Sequence, residues 1–413
     1  MRTTAALAAA GLLALAAVPA LGVTSQGAFR VGADAYWSRG ITGQGQTVAV
    51  LDQGFGGLDA SIAAGELPPR EAMTLQTFDA RFGLDGRDAM EEPTEHGTRM
   101  AEIVHDMAPD ARLVLVNYGT EEEFLQAVDW IVANGIPIVS HSNSFLSGIF
   151  DGTGRMARAV DQAAGAGVLW VNSSGNFARR HWSGTADASG TVVPIQAVPG
   201  LALRFGIGWR GLPGVAARVE VQRQAADGSW QEVARTGSDL LTPVIPVDGG
   251  TWRLVVRQLA GPAVQLEVFS RTIGFGDLAA PAGSVATPGD AAGSLTVGAV
   301  PWTGDALADY SSYGPLPDGR QKPDLVAPTY VTANPAWPGT AGTSAATAHV
   351  AGAAALVRQD RMAQGLPAGQ ADLRADLLSR TRDLGPPGPD AQFGAGMLRL
   401  DVAPPAVRVT LDG

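Results

Sequence analysis

The sequence predicts an α/β fold: a mostly parallel sheet with helices on both faces, interrupted by an inserted antiparallel β-sandwich. Three observations predict it. From about residue 24 to 185, short apolar runs alternate with helical patterns. From about 190 to 275 the apolar residues recur at every second position instead. From about 285 to 405 the first style returns. Strand–helix–strand alternation argues for a parallel sheet covered by helices. A period of two argues for half-buried antiparallel strands.

The elements follow in order. Thr47–Leu51 (TVAVL), Arg112–Val116 (RLVLV), Ile136–Ser140 and Val168–Val171 read as buried strands. Thr98–Met107 and Glu121–Ala133 carry apolar residues at helical spacing. In the middle block, Leu201, Leu203, Phe205, Ile207 and Trp209 are apolar at alternate positions, as are Val219 and Val221, Trp252, Leu254 and Val256, and Val264, Leu266 and Val268. Asp227-Gly228 and Asp248-Gly249 are hairpin turn signals. This block, 190–275, reads as a small jelly-roll-like sandwich. In the last block Ser294–Val300 is a strand, and Ser344–Arg358 and Gln370–Ser379 are helices.

Composition narrows the function. The 413 residues are 46% hydrophobic and carry a formal charge of −11. An acidic chain without a basic stripe is poorly suited to gripping phosphate backbones, so nucleic acid is not an expected partner. There are no cysteines, which excludes disulfides, a thiolate nucleophile and Cys-ligated zinc. Arg2 precedes an apolar run, Ala5–Val18, and Val18-Pro19-Ala20 offers a small-residue cleavage point. Residues 1–20 therefore read as a secretory signal. The run of 14 residues falls short of the roughly 20 that span a bilayer. The expectation is an exported chain, extracellular or periplasmic, free of the membrane after cleavage, and monomeric.

Four residues carry candidate chemistry. Asp52 ends the first strand in VAVLDQGFGG, where ligands bind in open α/β sheets; with Gly54, Gly56 and Gly57 behind it, it equally suits a turn. These glycines lack the order and the Lys-Ser/Thr of phosphate loops. His96 lies in EHGTRMAEIV, at a predicted helix N-terminus. Of the other histidines, His105 is mid-helix, His181 is in a loop, His349 faces another side of its helix, and His141 is on a strand. Asn176 lies in VLWVNSSGNFA and serves either as a turn residue or as an amide donor. Ser344 lies in AGTSAATAHVAGAAALV. It is either a simple N-cap or a nucleophile beside helix N–H groups that can hold an oxyanion. The G-x-S-x-G elbow is not matched, because Ala346 takes the last position. A serine needs a base to accept its proton, and the resulting imidazolium needs a carboxylate. The order Asp, His, Asn, Ser supplies all the parts.

These motifs resemble those of the subtilisin-like serine proteases (subtilases, peptidase family S8). VAVLDQGF is similar to the family's Asp motif, and His96-Gly97-Thr98-Arg99-Met100-Ala101-Glu102 to its His motif. Gly342-Thr343-Ser344, continuing to Gly352, is similar to its Ser motif, with KPDLVAP (Lys322–Pro328) upstream. The resemblance implies a subtilisin-like fold and a secreted serine endopeptidase working through an acyl-enzyme. Asp52, His96 and Ser344 would be the triad, with Asn176 and the Ser344 N–H as the oxyanion hole. Substrate would lie as an added strand along Ser140–Ser147, with Ser142, Asn143 and Ser144 beside the P1 side chain and His141 turned into the fold. The chemistry needs no cofactor. The family's structural calcium is implied, although no D-x-D-x-D-G loop supplies ligands. The sequence departs from the family at Arg99 (usually His), Glu102 (usually Gly) and Ala348 (usually Pro). It also leaves little room for an inhibitory propeptide before Asp52. The competing reading is a secreted, non-catalytic binding protein on a degenerate subtilase scaffold, with the insert recognising a surface polymer or protein.

Overall fold

A computed structural model describes residues 22–402; the expected signal segment, 1–20, and the end of the last block lie outside them. Nine strands form one sheet. From one edge its order is Thr381–Arg382, Met397–Leu398, Leu325–Thr329, Ser294–Pro301, Leu169–Ser173, Ile138–His141, Thr47–Asp52, Arg112–Asn117 and Thr74–Thr77. All neighbours run parallel except the first pair. The central strands are buried along nearly their whole length, as their unbroken Val/Leu/Ile runs require when helices cover both faces. The strand expected at Ile136–Ser140 begins at Ile138, because Pro137 has no N–H to give to a ladder.

Two helices matter most for the site. His96–Met107 packs on one face of the sheet, and Thr343–Ala363 runs beside it. On the other face, Glu121–Ala133 begins with a capping box. Thr120 Oγ1 accepts the Glu123 N–H at 3.2 Å, and the Glu123 carboxylate accepts the Thr120 N–H at 2.9 Å. Ahead of the first strand, Ser25 ties both site-bearing helices together. Its N–H donates to Asp106 at 2.8 Å, and its hydroxyl pairs with His349 Nε2 at 2.9 Å. Among the described residues no helix is long and apolar enough to cross a membrane.

The middle block, joined by Gly148–Ile149 and His181–Gly184 from the segment before it, forms two four-stranded sheets around a second core that includes Ile207, Val219, Val221, Leu254, Val256 and Val268. One sheet has the order Trp230–Arg235, Ala216–Gln224, Trp252–Ala260, Thr191–Ile195. The other has the order Gly148–Ile149, Phe205–Trp209, Leu266–Ser270, His181–Gly184. Three expectations need correction. His181 is not in a loop: it opens a strand and is buried, with Nε2 on Glu267 at 2.8 Å and Nδ1 on the Ala280 carbonyl at 2.6 Å. Phe205–Trp209 is buried on both faces rather than one, because Gly206 and Gly208 press against the Leu146 and Gly148 carbonyls. Asp227-Gly228 does join neighbouring strands. Asp248-Gly249 does not: Ile245–Pro246 pairs with Ala202–Leu203, and Trp252–Ala260 pairs elsewhere.

The glycine contact gives a test of how the sandwich is docked. A Cβ on Gly208 would lie 2.2 Å from both the Gly148 carbonyl oxygen and the Phe150 ring. Gly208→Ala should therefore cost about 1–3 kcal/mol of stability in urea unfolding. Gly304→Ala, which meets nothing within 4 Å, should be close to neutral.

Candidate active site

Asp52, His96, Asn176 and Ser344, read from separate motifs, line one recess of about 260 Å³. Three elements position the triad candidates. Asp52 is the last residue of its strand and aligns with Asn117 on the neighbour. His96 is the first residue of its helix. Ser344 lies in the first turn of its own.

Asp52 is buried, and its Oδ2 meets His96 Nδ1 at 2.7 Å. Its Oδ1 accepts the Gln53 N–H at 2.8 Å. Burial alone would raise the carboxyl's pKa, but the His96 charge and these hydrogen bonds hold it below its ordinary value. The Asn143 amide adds to that effect, although its Nδ2 completes no well-aligned hydrogen bond. His96 responds in the opposite sense. Burial favours the neutral ring, but the Asp52 carboxylate outweighs it and raises the imidazole above 6.5. The Arg99 charge opposes that rise.

Asn176 is oriented by the residue before the serine. Its Oδ1 accepts both the Thr343 N–H at 2.9 Å and the Thr343 hydroxyl at 3.1 Å. With the carbonyl end pinned, the amide Nδ2 turns to the space above Gly342. A Cβ at Gly342 would sit 3.2 Å from Asn176 Nδ2 and 3.6 Å from both Ser344 N and Ser344 Oγ. One small space is thus ringed by two donors and a hydroxyl. It stays open because residue 342 is glycine, with a φ of 118° that side chains avoid. The Gly342 N–H is held in turn by Tyr310 at 2.9 Å and Thr329 at 3.0 Å. Sequence reasoning missed Thr343, Thr329 and Tyr310. Only the family-like Lys322–Pro328 segment next to Thr329 hinted at them.

The remaining predicted residues are also in the cleft. Ser142 and Ser144 each turn a carbonyl to a group that lines the recess. The Ser142 carbonyl accepts the Ser344 hydroxyl at 3.3 Å, and the Ser144 carbonyl accepts Arg271 Nη2 at 2.7 Å. The serine hydroxyl is therefore bonded to Ser142 rather than to His96. Apo sites often tighten only when substrate arrives. His141 points away into the core, with Nε2 on Tyr118 at 2.8 Å and Nδ1 on Asn172 at 2.7 Å; burial drops its pKa to about 4. His349 is buried as well, with Nδ1 on the Ala345 carbonyl at 2.7 Å. Among the described residues there is no group of three or more His, Asp or Glu side chains that could hold a metal ion.

The two changed residues behind His96 are accommodated differently. Arg99 turns outward, pairing with Glu95 at 2.9 Å and lying 5.0 Å from the Trp337 ring centre. Glu102 is 1% exposed, and one oxygen accepts both Ser61 Oγ at 2.6 Å and Asn334 Nδ2 at 2.7 Å. Burial pushes its pKa up to about 7.

The subtilase family profile matches residues 43–202 and 275–396. The chain belongs to the subtilase family. It is 26% identical to the minor extracellular protease Vpr of Bacillus subtilis (strain 168), over 80% of this chain and 47% of that protein. It therefore spans about half the length of that curated relative. The solved structure of the Clostridium perfringens CspB protease superposes with a TM-score of 0.63 at 15% identity, covering 91% of this chain and 97% of that one. This likeness bears on the fold.

Glu102 makes stability depend on pH. In the unfolded chain its carboxyl ionises near its ordinary value; in the folded chain it keeps its proton to about 7. The folded state thus binds the extra proton in between, and stability falls as pH rises through that window. Glu102→Gln, which keeps the acceptor oxygen, should leave stability almost unchanged at pH 4 and raise it by up to about 3 kcal/mol at pH 8, read from urea midpoints.

Proposed function

We propose that this protein is a secreted serine endopeptidase. The observation that carries the reading is the convergence of the Asp52–His96 pair, the Ser344 hydroxyl and the Asn176 amide on one open space above Gly342. Export rests on the signal-like segment 1–20 and on the extracellular relative.

The chemistry follows from the contacts. Substrate enters along Ser142–Ser144, and the Ser344 hydroxyl exchanges Ser142 for His96. Oγ attacks the peptide carbonyl carbon while His96 Nε2 takes its proton. Asp52, hydrogen-bonded to Nδ1, fixes the tautomer and stabilises the imidazolium. The carbonyl oxygen becomes an oxyanion in the space above Gly342, between Asn176 Nδ2 and the Ser344 N–H. A pre-placed donor of this kind is worth roughly 3–4 kcal/mol in the transition state. His96 returns the proton to the leaving amine, giving an acyl-enzyme. Water, activated by the same ring, then releases the second product. No step calls on a metal or cofactor.

Ser344→Ala should abolish casein hydrolysis and labelling by a serine-directed phosphonate; full turnover in that variant would sink the assignment. Gly342→Ala, which fills the oxyanion space, should lose at least about 100-fold in kcat with less effect on KM. Because the base must be neutral and its pKa is raised, kcat/KM should climb with pH through an ionisation above 6.5. Asp52→Asn should lower the rate about 10⁴-fold and shift that ionisation down.

A further inference from the structure

One basic side chain in the cleft has no part in the steps above. Arg271 leaves the strand Leu266–Ser270 and lies between the two walls of the cleft. Its Nη2 donates to the Ser144 carbonyl at 2.7 Å. Its own carbonyl accepts from Arg180 Nη1, and Arg180 Nε and Nη2 donate to the Asn176 carbonyl at 3.2 and 2.9 Å. Arg271 is thus fastened directly to the Ser142–Ser144 wall and, through Arg180, to the Gly175–Phe177 wall. It lines the catalytic recess and also a neighbouring cavity of about 480 Å³. Arg204 adjoins it: the Arg271 N–H donates to the Arg204 carbonyl at 3.0 Å.

Every hydrogen bond from these three guanidiniums among the described residues ends on a backbone carbonyl. None ends on a carboxylate, and Arg204 Nε is buried without a partner. A guanidinium withdrawn from water usually has a counter-ion. Burial, and then the Arg204 charge alongside, draw Arg271 down to about 10, with the Asp88 charge opposing them. Asp88 lines both recesses with it, but Asp88 Oδ1 is occupied by the Met90 and Glu92 N–H groups at 2.8 and 3.0 Å. Glu91, Glu121, Glu122 and Asp239 also line the larger cavity, not the catalytic recess, where the other carboxylate is Asp52, held by His96.

We propose that Arg271 selects an acidic P1 side chain, the residue whose carbonyl Ser344 attacks. This rests on the peptidase reading. With that carbonyl carbon at Ser344 Oγ and its oxygen above Gly342, the P1 side chain falls between the Ser142–Ser144 and Gly175–Phe177 walls. Arg271 lies between the same walls. Its side chain commits one hydrogen bond to Ser144 and keeps further donors for a carboxylate, which a planar guanidinium holds in a two-point contact.

The test uses the full chain and a peptide library varied at P1, read by mass spectrometry, with matched Glu and Gln peptides for kinetics. Glu or Asp at P1 should give kcat/KM about 10- to 100-fold above Gln or Asn. Arg271→Gln should pull the Glu-to-Gln ratio toward one, and Arg271→Glu should turn preference toward Lys or Arg, with phosphonate labelling used to count folded sites. A purely structural Arg271 would lower both rates and leave the ratio unchanged. Efficient cleavage without acidic preference overturns the proposal while leaving the peptidase reading intact. No cleavage and no labelling overturns that reading, and the proposal with it.

Discussion

The helices that carry His96 and Ser344 meet where Gly352 faces Met107, and the shape of the cleft depends on how closely they approach. A Cβ on Gly352 would lie 2.4 Å from Met107 Cβ. Around that contact Ala345, Ala346, Ala348, Ala351, Ala353, Ala354 and Ala355 are fully buried. A helix with so many small residues can press against a sheet and a second helix at once. Larger residues would hold its axis farther off, and a tightly packed interior has no slack to absorb the change. The strand that ends at Asp52 is fixed by pairing on both sides, and Asp52 itself aligns with Asn117. What remains to be set is the placement of two helix N-termini against that strand end, and packing of small residues sets it.

Electrostatics then works within that frame. Burying Asp52 is tolerable because His96, Gln53 and Asn143 surround the carboxylate. The helix that carries His96 has two further acids without a cation in contact, the buried Glu102 and the half-buried Asp106, whose pKa values desolvation raises to about 7 and about 8. Both are met by neutral donors: Ser61 and Asn334 for Glu102, and the Ser25 N–H for Asp106. Neutral acids suit those contacts, since a protonated carboxyl still accepts while its burial cost is small. The departure from a glycine at 102 therefore builds a polar anchor behind His96, paid for by a dependence on pH rather than by a loss of packing.

The places of the four candidate residues in the fold were legible because each lies in a short stretch whose local conformation is dictated by its own neighbours. Apolar Val48–Leu51 must be a strand, so Asp52 falls at its end. Gly342-Thr343-Ser344 must turn into a helix, so Ser344 falls at its start. The supporting contacts were not legible in the same way. Thr343 orients Asn176 across 167 positions of sequence, and nothing in either segment announces the pairing. The alternation at Phe205–Trp209 looked half-exposed because glycine contributes no apolar signal, yet Gly206 and Gly208 form a tightly covered face. His181 looked like a loop residue because its strand is only four residues long and its partner, Glu267, is distant in sequence.

The sandwich is better understood as part of the cleft than as an appendage. The segment Ser142–Ser144 runs on into Gly148–Ile149, one edge strand of the sheet that also holds Phe205–Trp209. The segment Gly175–Phe177 runs on into His181–Gly184, the other edge strand of the same sheet. Phe205–Trp209 and Leu266–Ser270 fill the space between. The two walls are therefore tied at their far ends by a ladder three strand-spacings wide, about 14 Å. Backbone hydrogen bonds fix that width, so the walls cannot splay without breaking them. Arg271 leaves the second of the two middle strands just where it reaches the cleft, and its contacts to Ser144 and, through Arg180, to Asn176 close the ladder from the catalytic side. A sheet with three of its four strands between Asn176 and Ser344 in the chain thus becomes, in space, the brace that sets the distance between the two sides of the recess.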